Sequence, residues 1–170
     1  MRKLLLFGLA IITLASCNTK PVRYTQNSPE IDVVKKHMAN YNSKNYDTSI
    51  YADSSKTFLN TKKNAMTPSE AMEYHKQTDA NYSSRGFKAE DQEYEMVVTD
   101  DGETWVNCWL DWTGTLAGTG QEIEIPVHLT YRFVEGKVVR ELGYWNPTEI
   151  VLALQKIEAQ KNSSEEEEKL

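Results

Sequence analysis

Between residues 127 and 145 apolar and polar side chains alternate on both sides of Glu135-Gly136. A period of two is the signature of a half-buried strand, and a glycine-containing pair between two such runs closes a tight hairpin. A two-residue loop sets Val134 opposite Lys137, Phe133 opposite Val138, Tyr131 opposite Arg140, Leu129 opposite Leu142 and Val127 opposite Tyr144. One face is then apolar apart from an arginine and two phenols. The other carries His128, Thr130, Arg132, Glu141 and Gly143 and is mostly polar. A strand pair of this kind covers a core with its apolar face.

Elsewhere the period changes. Ser28-Pro29-Glu30 reads as an N-cap followed by proline in the first turn, and Ile31, Val34, Met38 and Tyr41 follow at helical spacing. Thr67-Pro68-Ser69-Glu70 is a capping box that predicts a helix to about Tyr82. Between them, residues 46–60 suggest a short helical turn and a short strand near 56–59. Gly86 ends the helical pattern. Long strands follow at 87–98 and 104–116, and a third starts near Glu122 and runs into the hairpin; Asp100-Asp101-Gly102, Gly118 and Gly120 punctuate them. Asn146-Pro147-Thr148-Glu149 caps a last helix whose apolar stripe is Ile150, Val151, Leu154 and Ile157. Helices segregated from a run of antiparallel strands predict an α+β domain, with helices on one face of a curved sheet. Met38, Trp109, Leu129, Phe133 and Leu142 are expected to be buried.

Composition adds constraints. The 170 residues are 39% hydrophobic and 26% charged, which suits one soluble globular domain. The net charge is −6, and no basic stripe interleaves with aromatics, so nucleic acid is not an expected partner. The 4 tryptophans and 9 tyrosines are many for this length, and most of these rings, all 4 tryptophans with Tyr94, Tyr131 and Tyr144, fall between Tyr94 and Trp145, where they must be buried or line a cavity.

The N-terminus has a different character. Met1-Arg2-Lys3 is basic, and the apolar run from Leu4 to Leu14 has signal-peptide length, too short to span a bilayer. Leu14-Ala15-Ser16-Cys17 resembles a bacterial lipobox, in which small residues admit a peptidase and the thiol accepts the lipid. The alternative is an ordinary secretory signal with a chance cysteine. The lipobox reading divides the chain into a signal peptide (1–16), a lipidated Cys17 with a flexible tether (17–28), a folded domain (29–160) and a charged, disordered tail (161–170). It places the protein in the cell envelope, lipid-anchored to a membrane. The tether has no acidic residue after the cysteine, which favours the periplasmic side. Cys108, the other cysteine, then has no partner for an intramolecular disulfide and reads as a small buried filler.

The element order, Tyr51-Ala52-Asp53, the glycine-rich loop between long strands, and Arg132-Phe133-Val134-Glu135-Gly136-Lys137-Val138 followed by Tyr144-Trp145 resemble the nuclear-transport-factor-2-like superfamily and its SnoaL-like group. The resemblance implies a cone-like curved antiparallel sheet packed against N-terminal helices, with an added C-terminal helix. It also implies a ligand in the cone's apolar mouth and a homodimer through the outer face, where His128, Thr130, Arg132 and Glu141 would lie.

Candidate chemistry follows from the strand register. With the loop centred near Thr119, Trp109 lies near Leu129, Asp111 near Val127 and Asn107 near Tyr131. Asn107, Trp109, Asp111, Tyr131, Arg140 and Tyr144 would then line the pocket, as a few polar groups on an apolar wall suited to a small molecule. Arg140 and Asp111 could equally satisfy each other. Asp53 could be a general base facing Tyr94 or Tyr144, as the resemblance suggests, yet Asp53-Ser54-Ser55 reads as well as a turn or cap. His37, His75 and His128 show no metal-ligand spacing, and no nucleophile elbow or phosphate loop occurs, so neither a metal nor a cofactor is expected. The reading is a membrane-anchored domain that binds a small apolar molecule without catalysis. The alternatives are an isomerase, dehydratase or cyclase using a pocket aspartate, and an interaction domain whose cone is filled by its own rings.

Overall fold

The computed structural model describes residues 22–167. The signal peptide, Cys17 and the first part of the tether lie outside the described residues. The elements are β1 (Tyr24–Thr25), α1 (Pro29–Asn42), β2 (Tyr51–Leu59), α2 (Pro68–Thr78), a 3₁₀ turn (Asp79–Asn81), β3 (Tyr82–Phe87), β4 (Glu93–Val98), β5 (Thr104–Leu116), β6 (Glu122–Val134), β7 (Lys137–Trp145) and α3 (Thr148–Glu167).

The caps act as their sequences require. The Ser28 side chain accepts from the Ile31 amide at 3.3 Å, and Thr67 and Glu70 close a reciprocal capping box. Ile31, Val34, His37 and Met38 form the buried stripe of α1. Two boundaries depart from expectation. Part of the tether is structured: Tyr24 and Thr25 pair with Val97 and Met96, and Arg23 forms an ion pair with Asp100. The charged segment after Gln160 continues α3 to Glu167, where a disordered tail was expected.

A 7-stranded sheet has the order β1-β4-β5-β6-β7-β2, with β3 pairing β5 beside β4. The long strand expected at 87–98 is shortened to β4, and a separate strand, β3, precedes it; both pair with β5, β3 with its C-terminal half and β4 with its N-terminal half. The sheet is mixed rather than wholly antiparallel, because β2 runs parallel to β7. No tight turn joins those two strands, so nothing local imposes an antiparallel pairing. The Asn42 amide extends the sheet's contact with α1: it donates to the Phe87 carbonyl at 2.9 Å and accepts from the Phe87 amide at 2.8 Å.

The β6–β7 hairpin closes at Glu135-Gly136, both with positive φ (50° and 75°), as in a type I′ turn. Phe133 pairs with Val138 as expected, but Arg132 then pairs with Arg140. Val139 is the extra residue of a β-bulge. Beyond it Tyr131 faces Glu141, Leu129 faces Gly143 and Val127 faces Trp145. The inferred register of β5 against β6 is also corrected by one residue: Asn107 pairs with Thr130, Trp109 with His128 and Asp111 with Pro126. The turn explains this, since the Leu116 amide donates to the Gln121 carbonyl and places the loop centre half a residue earlier. A slip of one exchanges every side chain between the two faces. The core accordingly contains Val106, Cys108, Leu110 and Trp112 from β5, Leu129, Tyr131 and Phe133 from β6, and Met38 from α1. Trp109, expected inside, is 43% exposed, and Leu142 is only half-buried.

Candidate functional site

The concave face of the sheet, α1, α2 and the first turns of α3 enclose a cavity of about 250 Å³. Trp112, Ile125, Val127 and Leu129 form its sheet wall, Met38 and Met72 its helical wall, and Ile150 and Leu154 close over it from α3. Gly143 stands in an inward position with little room for a side chain: a Cβ there would meet Leu59, Leu129 and Trp145 at 3.0–3.1 Å.

Glu141 lies at the base of this cavity, turned inward by the bulge at Val139. It is 5% exposed. The Tyr51 hydroxyl donates to its Oε2 at 2.8 Å and the Thr57 hydroxyl at 3.0 Å. His37 Nε2 is 3.1 Å from the Tyr51 oxygen. Tyr51 has one proton and gives it to the carboxylate, so Nε2–H of His37 donates to Tyr51 and Nδ1 holds the lone pair. His37 Nδ1 and the Tyr131 hydroxyl have no hydrogen-bond partner among the described residues.

Burial governs the protonation of these groups. It pushes His37 below its ordinary value, against the opposing charges of Glu141 and Asp47, which leaves a neutral imidazole near pH 7. Burial, reinforced by the Glu141 charge, pushes Tyr51 and Tyr131 well up, so both phenols stay protonated. His75, also on the wall, is lowered by burial and meets Tyr41 edge-on with ring centroids 5.3 Å apart. Tyr82 is pushed up to about 12 by burial.

At the rim, Arg85 donates to both oxygens of Asp79 at 2.6 and 2.9 Å, to the Tyr41 carbonyl, and to Tyr46 at 3.2 Å. Tyr46 also donates to Asp79. Burial alone would raise Asp79, but the bonds from Arg85 and Tyr46 hold it below the usual carboxylate range. The pair ties the 3₁₀ turn to β3 and α1.

Of the residues inferred for the pocket, only Tyr131 lies on its wall. Asn107, Trp109, Asp111, Arg140 and Tyr144 are on the opposite face of the sheet, for the register reasons given above. There Asn107 accepts from Thr130 at 2.7 Å, and Trp109, His128 and Tyr144 form a cross-strand row with centroids 5.0 and 6.4 Å apart. Arg140 lies 5.2 Å over the Phe58 ring instead of pairing with Asp111. Asp53 is exposed on β2 and does not approach the cavity. Sequence reasoning missed Glu141, whose inward position depends on the bulge. His37 had a legible signal, a polar residue within the apolar stripe of α1. Among the described residues no cluster of three or more His, Cys, Asp or Glu could hold a metal, and no helix is long and apolar enough to cross a membrane.

No family model matches the chain, and no curated protein matches it. Solved structures do. A candidate polyketide cyclase from Xanthomonas campestris pv. campestris superposes with a TM-score of 0.60 at 14% identity, covering 75% of this chain and 98% of that one. A candidate SnoaL-like polyketide cyclase from Jannaschia sp. CCS1 gives 0.57 at 12% identity, covering 79% and 94%. A protein with a ketosteroid isomerase-like fold from Catenulispora acidiphila DSM 44928, in complex with trimethylamine, gives 0.53 at 14% identity, covering 66% and 84%. The chain has the nuclear-transport-factor-2-like fold. In this cone fold the concave face, α1 and the last helix shape the cavity, and here that cavity has Glu141 at its base.

Proposed function

We propose that the domain binds a small, largely apolar molecule in the cone, with one polar group directed at Glu141 and Tyr131. The observation that carries this is a partly open cavity of about 250 Å³, just under the usual range of ligand-pocket sizes, with mostly apolar walls and a single carboxylate at its base. Trp105 and Trp109, which could have filled the cone, belong to the outer face, opposite Arg132 and His128. The neighbour described in complex with trimethylamine supports a small occupant. A thermal-shift screen of small apolar molecules tests the reading. Hits should raise the melting temperature of the protein but not of Leu154→Trp, which narrows the cavity at α3. A folded protein with no hit, or hits indifferent to Leu154→Trp, overturns it.

A second reading, an acid–base enzyme of the isomerase, dehydratase or cyclase type, is favoured by the His37–Tyr51–Glu141 chain of hydrogen bonds. The names of the cyclase and isomerase-like neighbours agree with it. Glu141 would be the base, in place of the aspartates considered from sequence. Turnover of a bound hit that is lost in Glu141→Gln with binding retained would establish this reading over simple binding.

Two further properties are proposed from sequence. Leu14-Ala15-Ser16-Cys17 supports a lipid-anchored mature protein on the periplasmic side of the envelope; Cys17→Ser should move the protein out of the membrane fraction. The exposed rings of Trp109 and Tyr144 support a homodimer through the outer face. A monomer in sedimentation at micromolar concentration would refute the dimer.

A further inference from the structure

A buried carboxylate needs a compensating charge or a full set of donors, because neutral hydrogen bonds return only part of its lost hydration. Glu141 has two hydroxyl donors, both on Oε2, and no donor meets the hydrogen-bond distance to Oε1 among the described residues, with the Tyr131 phenol its near neighbour. The ion pairs of the described residues are Arg23–Asp100, Lys44–Asp79, Arg85–Asp79, Lys88–Glu124 and Arg132–Glu103, and none involves Glu141.

No neighbouring group supplies the missing charge. Burial keeps His37 and His75 neutral, and Tyr51 and Tyr131 remain protonated phenols. Arg85 reaches the rim, but its guanidinium is committed to Asp79 through two bonds. Lys44 adds a second cation 3.8 Å from Asp79, half-exposed in solvent rather than on the cavity wall. The base of the cavity therefore holds a carboxyl group that has no cationic partner among the described residues. Aromatic rings surround the space above it, among them Trp112, Trp145, Phe87 and Tyr82. Ring faces attract cations through their quadrupole, as Arg85 shows here by stacking 4.0 Å over Tyr41.

We propose that the occupant of this cavity is a small organic monocation, a protonated or quaternary amine on an apolar frame, with its ammonium group at Oε1 of Glu141. The proposal rests on the cavity being a ligand site. It adds the charge and head group of the ligand: an ammonium restores the missing partner, a neutral alcohol only hydrogen-bonds, and a carboxylate is repelled.

Benzylamine, benzyl alcohol and benzoate share one frame and differ in head group, so calorimetric titration of the purified protein with each at neutral pH isolates the charge. A charge-assisted bond predicts benzylammonium binding tighter than the alcohol by on the order of tenfold or more, with no detectable benzoate binding. Glu141→Gln, which keeps an acceptor for Tyr51 and Thr57, should bring the amine down to the level of the alcohol and leave the alcohol within about twofold. Leu154→Trp should weaken all head groups alike if they occupy the cone. An alcohol that binds as tightly as the amine overturns the cation and leaves the cavity site standing; this comparison needs no substituted protein, so it decides even if Glu141→Gln folds poorly. Amine binding unchanged in a folded Glu141→Gln protein overturns the assignment to Glu141. Silence from all three ligands with a folded protein overturns this proposal and counts against the binding reading itself.

Discussion

The Tyr51 hydroxyl donates a 2.8 Å hydrogen bond to Oε2 of Glu141, a residue 90 positions further along the chain. The bond joins β2 and β7, the one parallel pair in the sheet, at the base of the cavity. It links architecture to chemistry, because the same contact secures an edge strand and orients the carboxylate.

Tyr51→Phe removes a buried donor and leaves Glu141 and His37 each short of a partner. It should cost about 1–3 kcal/mol of stability in denaturant titration. Tyr94→Phe is the comparison, because that phenol bonds only Gln92 near the surface. If Tyr51→Phe were no more costly than Tyr94→Phe, the buried chain would not contribute to folding.

Acid should destabilise the domain through its buried histidines. Burial lowers the folded-state values of His37 and His75 below the ordinary 6.5, so the unfolded chain binds more protons as pH falls through that value. Stability attributable to these groups is full above about pH 6.5 and is lost progressively below it, until the folded-state values are reached. The combined His37→Gln and His75→Gln protein should show a smaller drop in melting temperature between pH 7.5 and 5.5. An equal drop would place the acid sensitivity elsewhere.

Gly143→Ala should destabilise by about 1–3 kcal/mol through overpacking, although alanine is ordinarily acceptable in a strand. The added methyl would press on Leu59, Leu129 and Trp145 at 3.0–3.1 Å. Chemical denaturation measures the loss. An unchanged midpoint would mean that the wall yields at no cost.

Deleting Val139 removes the extra residue and makes Val138 and Arg140 consecutive, opposite Phe133 and Arg132, so Glu141 should stay inward and Arg140 outward along the rest of β7. The expected result is retained cooperative unfolding and retained near-ultraviolet dichroism of the packed rings. A deletion variant that loses both would show that Val139 does more than set the spacing of the two faces. Asp111→Asn, on the outer surface, should change stability by under about 0.5 kcal/mol and leave ligand binding intact.

Much of the fold was legible locally. Ser28, and Thr67 with Glu70, announce α1 and α2 through their own capping bonds, and Glu135-Gly136 closes the hairpin where the alternation breaks. The site was less legible. Tyr131 was found because it precedes the bulge in the run from the turn along β6, where parity needed no correction. Asn107, Trp109 and Asp111 were misplaced by half a residue in the centre of one loop. Arg140 and Tyr144 were misplaced by one unpaired valine.

By itself the sequence determined the period of each segment, the helix starts, the hairpin turn and the α+β class, because these follow from interactions within a few residues. It also contains the Leu14-Ala15-Ser16-Cys17 motif. Only the tertiary structure decided which face of the sheet is concave, that β2 joins β7 in parallel, and that Glu141 rather than an aspartate meets Tyr51 and, through it, His37. The physical reason is that strand side chains repeat every two residues, so a single bulge or loop offset reverses inside and outside. Such an offset is selected by the packing of the whole sheet, and local pattern does not encode it.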